Sequence, residues 1–338
     1  MNSRRVAIVG AGSWGTALAL LLAHKGIEVA LWGHRPEHVR ALQEEGQNRA
    51  YLPGFKFPST LRPHESMADA LSGAGAIVMV VPSHAFRQTF SPVIGLAPQG
   101  AAFVSAAKGI ENKSLKTMTQ VMADGFSENG PSPPPFAVLS GPSFAKEVAQ
   151  KVPTAITIGC THDDTARFLQ SLFSTDYFRV YTSSDVIGLE ISAALKNIIA
   201  IAAGICDGLD FGTNARAALI TRGLAEMTRL GVRLGARQET FFGLSGLGDL
   251  VLTCTGELSR NRYVGLELGR GKPLAEILDS MNMVAEGIKT TKSVYDLVTT
   301  LGVDLPILEQ VYEVLYEGKD CTAAVIALLS RDLKSESS

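Results

Sequence analysis

Lys196 stands in a run of sequence that otherwise nearly excludes charge. Residues 186–205 read VIGLEISAALKNIIAIAAGI, and Glu190, Lys196 and Asn197 are its strongly polar members. A helix that is apolar on every face is normally buried. Burying an ammonium is costly unless it is paired or neutralised. Desolvation lowers an amine's pKa toward neutrality, where it works well as a proton donor or acceptor. The competing reading is a lysine whose stem lies along apolar surface while its head group reaches water.

The other end of the chain favours the first reading. Residues 4–9 form a short apolar strand that runs into Gly10-Ala11-Gly12-Ser13-Trp14-Gly15, and TALALLLA at 16–23 follows as a helix. Strand, G-x-G-x-x-G and helix in that order form a dinucleotide-binding fingerprint. Gly10 permits the tight turn, Gly12 admits the pyrophosphate, and Gly15 lets helix and strand pack closely. The helix N-terminus then offers unsatisfied N–H groups to the phosphates. A glycine-rich turn that serves packing alone is the alternative.

Residues 28–32 form the second strand, which ends in Gly33-His34-Arg35. An NAD-restricted enzyme places Asp or Glu near this point to hold the ribose 2′-hydroxyl. Here no carboxylate repels a 2′-phosphate, and Arg35 can meet one with a charge-assisted fork. NADPH is therefore the expected cofactor over NADH, without excluding NADH. Arg35 as a solvated loop residue is the alternative.

Length and composition set the frame. At 338 residues the chain exceeds the usual size of a single core, so two domains are expected. Thirty-one basic against thirty-three acidic residues leave a formal charge of −2, which gives no electrostatic case for nucleic acid. Cys160, Cys206, Cys254 and Cys321 are scattered and fit small buried hydrophobes in a reducing compartment. The six histidines show no ligand spacing, so no metal is implied. No signal-peptide pattern precedes the first strand. Charges inside the apolar run argue against membrane insertion, and the expected location is the cytoplasm.

Strand-like runs continue at 76–81, 101–106, 136–140, 155–159 and 177–181, with helical or loop pieces at 39–46 and 86–96 among the connections. Unbroken apolar strands separated by helix-length segments imply a sheet covered on both faces. The proline-dense stretch 130–135 reads as a stiff exposed loop. Helix-period sequence follows at 186–206, 214–230, 247–253, 260–269, 284–301 and 307–316. The expected organisation is α/β: a dinucleotide-binding domain over 1–183, then an all-helical substrate domain over 184–338. Ligands should lie between them, at the carboxyl ends of the strands.

Further candidates lie along this edge. Lys108 follows the fourth strand and either meets a substrate oxygen or is a solvated turn lysine. Ser140-Gly141-Pro142-Ser143-Phe144-Ala145 follows the next strand and offers a hydroxyl and helix N–H groups; Ser143 as a plain helix cap is the companion reading. The turn Gly243–Leu250 delivers Asp249 toward a helix, where it can bond a lysine or a substrate hydroxyl. Ser259-Arg260-Asn261-Arg262 gathers a cap, a guanidinium and an amide, a grouping suited to phosphate but common on surfaces. Together these groups point to a small phosphorylated alcohol or ketone.

The chain resembles the NAD(P)-dependent glycerol-3-phosphate dehydrogenase family of bacterial type. The matching segments run in family order: GAGSWGTALA at 10–19, PSHAFR at 82–87, AAKGIE at 106–111, LSGPSFAKEV at 139–148, the long stretch 195–223, GLSGLGDLVLTCTG at 243–256, SRNR at 259–262 and AEG at 285–287. The resemblance implies a Rossmann-type N-terminal domain and a helical C-terminal domain. It implies reversible reduction of dihydroxyacetone phosphate to sn-glycerol 3-phosphate, feeding glycerophospholipid synthesis, in a cytoplasmic homodimer. It implies that Lys196 accepts the proton when glycerol 3-phosphate is oxidised, with Lys108 touching substrate and cofactor. Gly141, Ser143, Asp249, Ser259, Arg260 and Asn261 match substrate-binding positions, with Arg260 also near the cofactor. Ser13, Trp14, His34, Arg35, Tyr51, Ala145, Val284 and Glu286 match cofactor-binding ones. The proline-rich stretch 130–135 departs from the family as a local loop extension and leaves every matched site residue in place.

Overall fold

The structure, a computed structural model, describes residues 5–129, 133–281, 285–333 and 335. The first half opens with β1 (Arg5–Val9), α1 (Ser13–His24), β2 (Glu28–Trp32), α2 (Pro36–Glu45), β3 (Gln47–Asn48), β4 (Leu52–Lys56), β5 (Leu61–His64) and α3 (Met67–Leu71). It continues with β6 (Ala76–Met79), α4 (Phe86–Leu96), β7 (Ala102–Ser105), α5 (Met118–Asn129), β8 (Phe136–Ser140), α6 (Ala145–Ala149), β9 (Thr154–Cys160), α7 (Asp163–Phe173) and β10 (Phe178–Ser183). Beyond Ser183 the described elements are helical: α8 (Val186–Gly208), α9 (Gly212–Arg233), α10 (Gln238–Phe241), α11 (Asp249–Thr255), α12 (Arg260–Gly269), α13 (Leu274–Asp279), α14 (Glu286–Leu301), α15 (Pro306–Tyr316) and α16 (Cys321–Leu329).

Eight strands form one sheet in the order β10-β9-β8-β7-β6-β1-β2-β5. Every neighbouring pair is parallel except β8–β9, which is antiparallel. Alternate residues of β1 face opposite cores. Val6 and Ile8 join α1, α6 and α7 on one face, while Ala7 and Val9 join α3, α4 and α5 on the other. That double cover explains why the strands carry apolar residues at consecutive positions. The strand order reverses at β1, which has β2 on one side and β6 on the other, and this is where such folds place a ligand.

Several short elements escape a reading by periodicity. β5 is an edge strand containing Pro63, tolerated there because one side of an edge lacks a partner. β3 and β4 form a small antiparallel pair with Pro53 and Gly54 in the second strand. Helices α10 and α13 are likewise too short to show a clear helical period, and α16 is apolar at nearly every position. The proline-rich stretch lies partly outside the described residues, and its Pro133–Pro135 portion has no regular structure.

The apolar run is α8, the axis of the helical part. It is buried from Gly188 to Cys206, wrapped chiefly by α12, α9, α11 and α14. Among the described residues it alone is long and apolar enough to cross a membrane, yet 89% of its most apolar window is buried inside the protein. Its carboxylate has a structural task. Glu190 Oε1 accepts the Thr119 N–H at 2.8 Å and Oε2 accepts the Thr119 hydroxyl at 2.5 Å, which ties α8 to the first turn of α5. Burial raises the Glu190 pKa above the ordinary carboxylate value.

Helix α12 crosses α8 with almost no side chain between the backbones. A Cβ on Gly204 would sit 2.0 Å from the Arg262 carbonyl oxygen, and one on Gly265 would sit 1.9 Å from the Ile201 carbonyl oxygen. These glycines let α12 approach until Asn261 meets Asn197. Gly265→Ala should therefore force the helices apart and destabilise the protein by about 1–3 kcal/mol, the usual penalty of overpacking. A urea midpoint unchanged from wild type would contradict this packing account.

Candidate active site

Asp249 is the centre of the site. A single π-helical turn, Leu244–Gly248, leads into α11 and sets Asp249 as its first residue, 1% exposed. Its Oδ1 accepts from Lys196 Nζ at 2.5 Å and its Oδ2 from Lys108 Nζ at 2.8 Å. Lys196 comes from the middle of α8 and is 4% exposed; Lys108 follows β7 and is partly exposed. One carboxylate thus joins the carboxyl edge of the sheet to the buried helix.

Thr253, one turn beyond Asp249 on α11, completes the amine's surroundings. Its hydroxyl donates to the Asp249 carbonyl oxygen at 2.6 Å, so toward Lys196 Nζ, 2.8 Å away, it acts as acceptor. Asp249 and Thr253 take two of the three N–H bonds of a charged Lys196 and leave one for a ligand. Nothing in composition marks Thr253, though its spacing of four from Asp249 puts both on one helix face.

Electrostatics follows from this packing. Burial pushes the Lys196 ammonium down to about 7; the Asp249 carboxylate opposes that shift and Lys108 adds to it. For Asp249, burial alone would favour the neutral acid, but Lys108 and Lys196 outweigh it and hold the carboxyl below its usual value. Both lysines therefore face one committed anion.

The donor cluster on α12 stands beside this group. Ser259 caps the helix, accepting the Arg262 N–H at 3.2 Å, and Arg260 is its exposed first residue. Asn261 donates to Asn197 Oδ1 at 2.9 Å and accepts the Gly287 N–H at 2.9 Å, which leaves one amide hydrogen for a ligand. Glu286 opens α14; burial raises its pKa while Arg260, Lys108 and Lys196 pull it down, so it lies in the field of all three. Asn197, next to Lys196 in sequence, is a support for Asn261 that its position in an apolar run only hinted at. Gly141 adopts φ +142° with Ile156 packed against it, and the Ser143 hydroxyl donates to the Gly141 carbonyl oxygen at 3.0 Å. The residue capping α6 is Phe144, so Ser143 is not that helix's cap. Pro142 and Phe144 lie against Gly248 and Gly256, which brings this loop to α11.

The residues at the glycine-rich turn form a second group. A Cβ on Gly10 would sit 2.2 Å from the Val80 carbonyl oxygen and one on Gly15 would sit 1.8 Å from the Gly10 carbonyl oxygen, so both are glycines of packing. A Cβ on Gly12 would meet nothing within 4 Å. Its openness, at the uncapped N-terminus of α1 with no acidic residue in the first turn, fits a dinucleotide pyrophosphate. Trp14 is half-buried, and its indole Nε1 is buried with no hydrogen-bond partner among the described residues. The Arg35 guanidinium, past the end of β2, hydrogen-bonds the Tyr51 hydroxyl, and the Ser13 hydroxyl donates to the Tyr51 carbonyl oxygen at 2.6 Å. His34 is exposed beside them, and Ala145 opens α6 against the core that α1 shares. Val284 lies outside the described residues.

Residues 5–166 match the NAD-dependent glycerol-3-phosphate dehydrogenase N-terminus, and residues 185–326 match the C-terminus of the same family. The chain belongs to the NAD-dependent glycerol-3-phosphate dehydrogenase family. It is 58% identical over 336 residues to a glycerol-3-phosphate dehydrogenase [NAD(P)+] of Desulfotalea psychrophila, covering 98% of each chain. It is 52% identical over 337 residues to the protein so named from Citrifermentans bemidjiense, covering 99% of each. The crystal structure of glycerol-3-phosphate dehydrogenase from Coxiella burnetii superimposes with a TM-score of 0.93 at 43% identity, covering 97% of this chain and 99% of that one. Within this family the chain carries a Rossmann-type sheet followed by helices, as its sequence pattern led one to expect.

The charge balance at Asp249 makes a direct prediction. Asp249→Asn removes the group that holds the Lys196 pKa up and leaves burial and Lys108 to depress it. The Lys196 amine should then titrate below about 7. The pH dependence of its ¹³Cε chemical shift measures this, and a titration moved upward would contradict the arrangement.

Proposed function

We propose that the protein catalyses the reversible reduction of dihydroxyacetone phosphate to sn-glycerol 3-phosphate with NADPH preferred and NADH accepted. The observation that carries this reading is a buried lysine whose amine is held by Asp249 and Thr253 with one N–H to spare. In the direction of reduction, Lys196 Nζ gives a proton to the substrate carbonyl oxygen; in oxidation it takes the proton from the hydroxyl. Asp249 orients that amine, and Lys108 adds positive field where negative charge develops. Arg260, Asn261 and Ser259 form the phosphate end of the substrate site, with Gly141 and Ser143 on the opposite loop.

A nicotinamide cofactor held by this chain supplies or accepts the hydride. Gly10, Gly12 and Gly15 shape the turn under its pyrophosphate, and Ser13, Trp14 and Ala145 flank it. Arg35, Tyr51 and His34 receive the adenosine end, while Lys108, Arg260 and Glu286 lie toward the reacting end, and Val284 matches a cofactor-binding position of the family. Residues 1–183 act in this reading as the cofactor-binding domain and residues 184–338 as the substrate-binding and catalytic domain. We place the enzyme in the cytoplasm as a homodimer supplying glycerophospholipid synthesis. Four unpaired buried cysteines are in keeping with a reducing compartment. Steady-state rates with dihydroxyacetone phosphate and each reduced cofactor test the proposal; no turnover with either would defeat it.

Two variants probe the assigned roles. Lys196→Ala should lower kcat by about 10²–10⁴-fold, the usual contribution of a general acid–base group, with NADPH affinity nearly unchanged. In wild type, Lys196 is charged below about 7 and neutral above it. Oxidation of glycerol 3-phosphate should thus accelerate as pH rises through that value, and reduction should slow. A variant within a few-fold of wild type would remove Lys196 from the mechanism.

Arg260→Ala should raise KM for dihydroxyacetone phosphate by an amount worth about 1.5–3 kcal/mol, the range for a hydrogen bond to a charged group. Dihydroxyacetone, lacking the phosphate, should be a poor substrate that the variant scarcely affects. Equal losses on both substrates would assign Arg260 to the fold or the cofactor instead.

A further inference from the structure

Asn48 is the most thoroughly committed side chain near the glycine-rich turn, and the reaction does not use it. It lies in β3, fully buried at 0% exposure. Its Nδ2 donates to the Ala11 carbonyl oxygen at 3.0 Å and to Thr16 Oγ1 at 2.8 Å. Its Oδ1 accepts the Tyr51 N–H at 3.2 Å and meets His38 Nε2 at 3.2 Å. The Ala11 carbonyl can only accept and the Tyr51 amide can only donate, which fixes the direction of the carboxamide. Both amide hydrogens and both lone-pair positions are therefore filled.

These four bonds join two parts of the cofactor site. Ala11 sits between Gly10 and Gly12, and Thr16 lies in the first turns of α1. Tyr51 belongs to the connection between β3 and β4, and its hydroxyl receives a hydrogen bond from Arg35. The Ser13 hydroxyl, donating to the Tyr51 carbonyl, bonds the connection directly to α1. Arg35 itself is exposed, and a long exposed cation samples many rotamers unless something holds it. Tyr51 holds it, and Asn48 fixes Tyr51 against the pyrophosphate turn.

We propose that Asn48 is a positioning residue for cofactor specificity: it holds Tyr51, and through it Arg35, where a ribose 2′-phosphate is recognised. The proposal rests on the reading that Arg35 favours NADPH. It predicts that the preference depends on a buried amide with no contact to the cofactor's 2′-phosphate.

Binding of 2′,5′-ADP and of 5′-AMP, measured by calorimetry without turnover, separates the two ideas. Wild type should bind 2′,5′-ADP more tightly. If it binds both alike, the reading of Arg35 fails and the role of Asn48 falls with it. Asn48→Ala should reduce the ratio of the two affinities about ten-fold, the worth of one charge-assisted hydrogen bond. In the Arg35→Ala background the same substitution should leave the ratio unchanged, because there is no cation left to position. If Asn48→Ala does not fold, Asn48→Ser supplies the test: its short neutral side chain cannot make all four bonds, adds no charge near the 2′-phosphate, and should likewise reduce the ratio. A variant that weakens both ligands equally, or changes the melting temperature without the ratio, would make Asn48 a purely structural residue and overturn the proposal.

Discussion

The interaction on which the site depends is the sharing of one buried carboxylate by two ammonium groups. Isolated, each charge would be expelled or neutralised by its surroundings. Breaking one partner of such a buried set leaves an uncompensated charge, which is strongly destabilising. Asp249 thus cannot be considered apart from Lys196 and Lys108. The arrangement leaves Asp249 firmly ionised and places Lys196 near the midpoint of its titration at neutral pH. A residue poised in this way can give up or take a proton at little cost in either direction.

That poise requires the three residues to come from elements far apart in sequence. Lys108 is delivered by the carboxyl end of β7, Lys196 by the middle of α8, and Asp249 by the start of α11. Glu190 strengthens the same junction by holding α8 to the first turn of α5, six residues before Lys196. Two carboxylates on or against one apolar helix therefore do different work. Glu190 meets a helix N-terminus and fixes position, whereas Asp249 meets two cations and sets protonation.

Much of this was legible in the sequence because it violates a local rule. A lysine in an all-apolar helix has no bland role that burial makes easy, and a strand end with Arg35 in place of a carboxylate has a direct electrostatic meaning. The motif already separates Gly10 and Gly15, which serve the turn and the packing, from Gly12, and the space around them agrees: a Cβ would clash with backbone at the first two and meet nothing within 4 Å at Gly12. Thr253 and Asn197 were at most hinted at, by a spacing of four from Asp249 and by polarity in an apolar run, because each is an ordinary residue until its partner is known. The antiparallel direction of β9 leaves no mark on periodicity, since apolar strands buried on both faces read alike either way. β5 was hidden by its proline, which an edge strand accepts and a central one does not.

The glycine contacts of α8 and α12 bear on function as well as packing. The Asn197–Asn261 bond of 2.9 Å joins two side chains too short to span an ordinary gap between helices. Helix axes normally stand about 8–10 Å apart, with the distance set by the side chains at the contact. Removing those side chains at Gly204 and Gly265 draws the backbones together and brings Asn261 within reach. Arg260, one residue earlier on α12, is carried with it. The separation between the Arg260–Asn261 end of the site and the Lys196 amine is thus set by backbone contact between two helices. Because backbones in contact cannot approach further and the asparagine pair resists their parting, that distance is held from both sides.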